Sequence, residues 1–117
     1  SFKQLSQKEH AEGSIAMREQ VIRARKIQQR RFEGSGHVRC NAGMGAALRN
    51  RYCVLDRAGS SLIRLAMERL GFSARAYDRI LKVARTISDL EGSEKIHSAH
   101  VAEAINYRNL DRDGWSG

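Results

Sequence analysis

An all-α bundle of about five helices is predicted by three features of the sequence. The 117 residues include no proline, and β-branched and aromatic residues are few, a balance that suits helices and disfavours strands. Apolar residues recur at steps of three and four along several segments. Caps and glycine stops divide those segments into short, separate helices.

Residues 1–13 show no apolar periodicity and are expected to lead in as coil. The first helix is expected from Ser14 to Phe32, with the Ser14 hydroxyl as its N-cap. Met17, Val21, Ala24 and Phe32 mark its inner face, interrupted by Gln28. Arg23, Lys26 and Arg30 fall on a different stripe. Gly34-Ser35-Gly36 ends this helix in a loop. A short helix is expected over Met44–Tyr52, with Met44, Ala47, Leu48 and Tyr52 inward. Asp56 is the candidate cap of a helix over 57–70, in which Ile63, Ala66, Met67 and Leu70 face the core. Gly71 fits the left-handed position beyond its end. Ser73 caps the most regular helix, 74–91, lined by Tyr77, Ile80, Leu81, Ala84, Ile87 and Leu90. Asp78–Lys82 and Arg85–Asp89 form i, i+4 pairs on its exposed side, and Gly92 stops it. Ser98 caps a last helix over 99–108, with Val101, Ala104, Ile105 and Arg108 in phase. Residues 111–117 read as a flexible tail. The folded domain is thus expected over 14–110. No helix here could stand alone in water, so the apolar faces must pack together.

The length is that of one domain, with a core of ordinary size. No apolar run is long enough for a membrane span, and the polar start SFKQLSQKEH is unlike a signal peptide. The first residue is not Met, which suggests a piece of a longer chain. Two cysteines cannot build the disulfide framework of a small secreted domain, so reduced thiols in a cytoplasmic protein are expected.

The net charge is +8, and it is unevenly placed. Residues 15–51 hold 9 basic and 2 acidic side chains, or +7, and residues 93–117 carry −1. An excess of that kind points to an anionic partner: nucleic acid, nucleotide phosphate or an acidic neighbouring domain.

Catalytic machinery is not evident. There is no phosphate-cradling G-x-x-x-x-G-K-[ST], no G-x-S-x-G and no H-E-x-x-H, and no carboxylate pair interrupts an apolar face. His37, Cys40 and Cys53 are soft metal ligands, and His97 or His100 could be a fourth, but their spacing matches no compact zinc pattern. Thiols packing as small hydrophobes are the simpler account. His97 and His100 straddle a helix start, which suits a surface or capping role. Arg23, Lys26, Arg30 and Arg31 could contact DNA phosphates or form a solvated or interdomain face. No base-reading motif accompanies them. Arg75 lies in the first turn of a capped helix, where the helix dipole prefers acids. An arginine placed against that preference suits binding of phosphate or carboxylate, and an ordinary ion pair with Asp78 or Asp89 is the alternative.

The stretch SARAYDRILKVARTISDLEGSEKIHSAHVAEAINYR closely resembles the C-terminal segment of magnesium-chelatase-like AAA+ ATPases, in the competence-protein group called ComM or YifB. Glu12-Gly13-Ser14 followed by Arg18, Val21, Ala24-Arg25 and Gln28 resembles that family's entry helix. Cys40-Asn41-Ala42 resembles its "NA" turn, and Cys53-Val54-Leu55-Asp56 its next connection. The likeness runs in order over about residues 12–110. It implies a helical lid that follows a P-loop ATPase core. ATP and Mg2+ would be cofactors of the parent protein, which would form a homo-oligomeric ring of six subunits. In the competence branch the ring remodels DNA by branch migration. In the chelatase branch it drives magnesium into a porphyrin. By the same resemblance Arg75 matches the sensor-2 arginine that reaches the γ-phosphate. Arg79, one turn on, is the next phosphate contact, and Arg85 is structural, pairing with Asp89. Walker A, Walker B, sensor 1 and the arginine finger lie outside this chain, so the resemblance implies ATPase activity for the parent and not for these residues alone. A DNA-binding helical module that uses the basic first helix stays open as a different reading.

Overall fold

The structure, a computed structural model, describes the backbone of residues 2–114 and the side chains as far as residue 107. Five α-helices and one short 3-10 turn make up the described residues: α1 (Phe2–Arg31), the turn Asn41–Gly43, α2 (Ala46–Tyr52), α3 (Arg57–Leu70), α4 (Ala74–Leu90) and α5 (Ser98–Gly114). No strand occurs among them. A single parallel bridge, Leu55 to Ile96, ties the two loops that precede α3 and α5.

Helix α4 is the centre. One side packs on α5, and the other side is covered by α1, the 3-10 turn and α2. Ile80, Leu81, Ala84 and Ile87 of α4 meet Ile63 of α3 and Val101, Ala104 and Ile105 of α5 in the core, with Phe32, Met44, Cys53 and Ile96 closing it. Helix α3 lies on α5. The approach there is close: a Cβ at Gly59 would sit 3.5 Å from Val101 and 3.2 Å from Asp56.

The caps explain where the middle helices begin and end. The Asp56 carboxylate accepts the Gly59 N–H at 2.7 Å, and Gly71 takes the left-handed conformation, φ 65°, that ends α3. Ser73 accepts the Ala76 N–H at 3.2 Å and starts α4. Gly92, φ 74°, follows α4. An orphan N–H at a helix start costs about 1 kcal/mol when its cap is lost. Asp56→Ala is therefore expected to destabilise the domain by about 1 kcal/mol, read from the midpoint of urea unfolding.

Four boundaries differ most from the sequence expectation. Helix α1 starts at Phe2, so residues 2–13 are helical and not coil, and Ser14 lies inside the helix rather than at its cap. The cause is plain. Apolar periodicity reports burial, and nothing before Ala24 is buried on this helix. Residues 2–22 are an overhang built from good helix formers such as Gln, Lys, Glu, Ala and Leu, with no proline to stop them. Met17 and Val21 lie on the expected inner line, but they project past the bundle and stay exposed, at 66% and 40%. The short helix starts at Ala46 and not Met44. Met44 is buried after the 3-10 turn, and Ala47 faces solvent. The last helix starts at Ser98 itself, so His97 takes the cap position. Its N–H is accepted by His100 Nδ1 at 2.9 Å, and its carbonyl receives the His100 and Val101 N–H groups. This is one half of a capping box, with a histidine in place of the usual Glu or Gln at the third helical position. It makes Nε2 the protonated nitrogen of neutral His100, and that N–H donates to Glu91 at 2.6 Å. Helix α5 continues through residues 111–114, which were expected as tail. Residues 115–117 of that expected tail, and the side chain of Arg108, lie outside the described residues.

Candidate functional site

The N-terminal end of α4 presents Arg75 and Arg79, both exposed. Gly71 turns the chain out of α3 and Ser73 caps α4, so Arg75 is the second residue of a rigid helix. The exposed Arg75 thus stands at the same helix end as the first-turn N–H groups, of which that of Ala76 is taken by Ser73, and no acidic residue occupies the first turn. That end is electropositive twice over, from the helix and from the side chain.

The ion pairs suggested for Arg75 do not form. Asp78 is taken by Arg49 of α2 at 3.0 Å and by Lys82 at 2.9 Å. Asp89 is taken by Arg31 and Arg85. Among the described residues no ion pair includes Arg75. Burial pushes the Asp78 carboxyl up, but the hydrogen bonds and charges of Lys82 and Arg49 outweigh it and hold the group below its ordinary value. A carboxyl depressed in the folded state stabilises the fold above its unfolded pKa, about 3.9 for Asp. That contribution is lost as pH falls through the lower folded value. The stability gap between wild type and Asp78→Asn is accordingly expected to be full at pH 5 and to close toward pH 2. Urea midpoints at the two pH values would check it.

The basic stripe of α1 divides in two. Arg23, Lys26 and Arg30 are exposed, and Arg23 lies beside Gly92 at the end of α4, 3.9 Å from where a Cβ would stand. Arg31 is turned inward and is not a surface contact for DNA. Its guanidinium donates both ends to Asp89, each at 2.7 Å, and donates to Asn41 Oδ1 at 2.9 Å. It also lies 5.8 Å from the Tyr52 ring centroid. The reason is positional: Arg31 follows Ala24 by seven residues on the buried line of α1.

Around Arg31 the structure gathers a polar network that the sequence reading did not assemble. Asn41 is buried. Its N–H donates to Gln28 Oε1 at 2.9 Å, and its side-chain amide donates to Thr86 at 3.0 Å and Asp89 at 2.9 Å. Gln28, which seemed to interrupt an apolar face, is therefore part of the joint. Asp89 is fully buried, not on an exposed side, and so is Arg85 but for 5%. Arg85 donates to the carbonyls of Ser93 and Glu94 at 2.9 and 3.0 Å. Its Nε stands 3.3 Å from Asp89 Oδ1, a charge contact without hydrogen-bond alignment. Burial lowers the Arg85 pKa, and the Asp89 charge opposes that. The readable signal was the "NA" turn itself, a buried-amide motif.

The candidate metal ligands do not converge. Among the described residues no three His, Cys, Asp or Glu side chains gather as a cation site. Cys40 is exposed, and Cys53 is buried, its thiol pushed up to about 11 chiefly by that burial. His100 is committed to the α5 cap. Among the described residues no helix is long and apolar enough to cross a membrane.

Comparison with known proteins places this geometry in context. Residues 11–108 match the family described as magnesium chelatase, subunit ChlI C-terminal. The chain is 39% identical over 104 residues to Competence protein ComM of Haemophilus influenzae, covering 89% of this chain and 19% of that protein. It is 37% identical over 101 residues to the YifB protein of Salmonella typhimurium, covering 86% and 19%, and 34% identical over 101 residues to YifB of Escherichia coli, with the same coverage. The matched segment thus spans about a fifth of each relative. No solved structure matches the chain.

Proposed function

The chain belongs to the magnesium chelatase subunit ChlI C-terminal family, and from that premise we propose that it is the lid of a ComM-like AAA+ ATPase, with Arg75 as the arginine that senses ATP. The observation that supports this most is the state of Arg75. It is exposed on the first turn of a capped helix and takes part in no ion pair among the described residues, while Arg31, Arg49, Lys82 and Arg85 are each held by a carboxylate. A guanidinium is charged at every working pH and meets a phosphate as a two-pronged donor. It offsets the charge on the terminal phosphate when a P-loop core presents that phosphate to the end of α4. Arg79, on nearly the same line of α4, is the second contact. Among the described residues the exposed arginines suit the phosphate of ATP and no carboxylate cluster suits its Mg2+, which falls to the upstream core in this reading.

The remaining steps follow from rigidity. Helix α4 is bound to α1 through the Arg31–Asp89 pair, so a tug on Arg75 is carried into a helix of about 45 Å at 1.5 Å per residue. Hydrolysis releases that contact and lets the lid turn as a body. In a homo-oligomeric ring of six, such turning moves each subunit against the next. Similarity to a competence protein favours DNA remodelling over magnesium insertion as the work done. The test is ATP turnover of the full-length protein, wild type against Arg75→Ala, with and without branched DNA. Turnover that is stimulated by DNA and falls in the variant supports the reading. Turnover that is unchanged by the substitution overturns it.

A further inference from the structure

Helix α1 and the loop after it enclose a cavity of about 470 Å3, lined by Arg25, Gln29, Glu33, Gly34, Gly36 and Arg39, with Phe32 and Val38 as its apolar floor. We propose that this cavity binds a phosphate group, gripped between the Arg25 and Arg39 guanidiniums.

Four observations carry it. First, two arginines from different elements line one cavity, and neither forms an ion pair among the described residues. Both are exposed, whereas the half-buried Arg31 and Arg49 and the buried Arg85 are each paired with an acid. Second, the lining carries two cations against the single carboxylate of Glu33, so the cavity keeps a net charge of +1. Third, Gly34 and Gly36 both have positive φ, 77° and 66°, and their N–H groups donate to no acceptor among the described residues. Unpaired amides in a left-handed turn are a recurrent anion cradle. Fourth, the wall is firm. Gln28, also lining the cavity, is fixed by the Asn41 N–H, and Phe32 is buried, so Arg25 and the loop keep their relative places. Guanidinium suits phosphate because two parallel N–H bonds meet two oxygens. This site is separate from Arg75 and needs no nucleotide-sensing role for the chain.

One ligand chemistry has two sources here, a free phosphate group or a phosphodiester strand. A strand would also reach Arg18, two turns up α1 from Arg25 on the same line. The experiment is an NMR titration of the 117-residue chain, first with inorganic phosphate and then with a twelve-nucleotide oligo(dT), following the arginine side-chain and glycine amide signals. Saturable shifts centred on Arg25, Arg39, Gly34 and Gly36 are expected. The Arg25→Gln/Arg39→Gln double variant should weaken binding at least tenfold, while Arg23→Gln/Lys26→Gln, with the same charge removed, should leave it within twofold. If the strand is the source, oligo(dT) binds more tightly than phosphate and Arg18→Gln weakens only the strand. The double variant then lowers the salt slope by about 0.7, the value for one phosphate contact on a single strand. If free phosphate is the source, oligo(dT) gains nothing and Arg18→Gln is silent. Shifts that do not saturate, that centre elsewhere, or that fall equally in the Arg23/Lys26 variant overturn the site.

Discussion

Asp89→Ala should be the most damaging single substitution in the fold, costing about 3–5 kcal/mol, the usual penalty for breaking a buried ion pair. The Asp89 side chain is fully buried. It accepts from three donors, the two ends of the Arg31 guanidinium and the Asn41 amide, and also faces the charge of Arg85. Removing the carboxylate leaves two guanidiniums in the interior with no negative partner among the described residues. Arg85 keeps its bonds to the Ser93 and Glu94 carbonyls, but Arg31 keeps only Asn41. Against a total stability of about 5–15 kcal/mol this is a large fraction. With a slope near 2 kcal/mol/M it moves the urea midpoint by about 2 M. Asp89→Asn should cost less, because one carbonyl still accepts from Arg31. The pair also predicts its own control. Arg31→Met combined with Asp89→Leu removes both charges, so it should cost less than the two single losses together, since apolar replacement of a whole buried pair is often neutral. A cost below 1 kcal/mol for Asp89→Ala would mean that water, rather than this network, satisfies the joint.

The same network marks the limit of what the sequence shows. Helices with one apolar face and a capped start were legible. Asp56, Ser73 and Gly71 do what their residue types suggest, because a cap is a local event. Arg85 and Asp89 were misplaced on a solvent face because α4 is covered on both sides, by α5 and by α1 with its neighbours. The 3.6-residue period reports one buried face, and a central helix has more than one. The reverse error struck α1. Residues 2–13 are helical without being buried, so the period was absent there and coil was expected. Gln28 and Asn41 illustrate a third cause. Their partners lie 13 and up to 48 residues apart in the chain, and no spacing rule brings such pairs together. Arg75 was legible as an oddity, an arginine set against a helix dipole, and needed the fold only to remove Asp78 and Asp89 as its partners.

That removal sets the size of the second large effect. Arg75→Ala in the full-length protein should lower ATP turnover about 100-fold or more. Loss of one preorganised donor to a developing oxyanion costs roughly 10²–10³, and arginines acting on transferred phosphate span about 10³–10⁵. The fold should be spared, because Arg75 is exposed and takes part in no ion pair among the described residues. A urea midpoint within about 0.5 kcal/mol of wild type, the usual range for a surface change, separates loss of function from loss of structure. Arg75→Lys discriminates further. It keeps the charge and gives up the planar fork, so partial recovery of turnover would assign the role to charge, and none would assign it to bidentate geometry. The split between kcat and KM locates the contact in the reaction. Loss of an arginine that grips the terminal phosphate more tightly as charge develops lowers kcat, whereas loss of one that only holds bound ATP raises KM with kcat unchanged. Arg79→Ala should follow Arg75→Ala at a smaller amplitude. If Arg79→Ala has the larger effect, the sensing arginine sits one turn further along α4, and the reading of the helix end as the phosphate site survives with its residues exchanged.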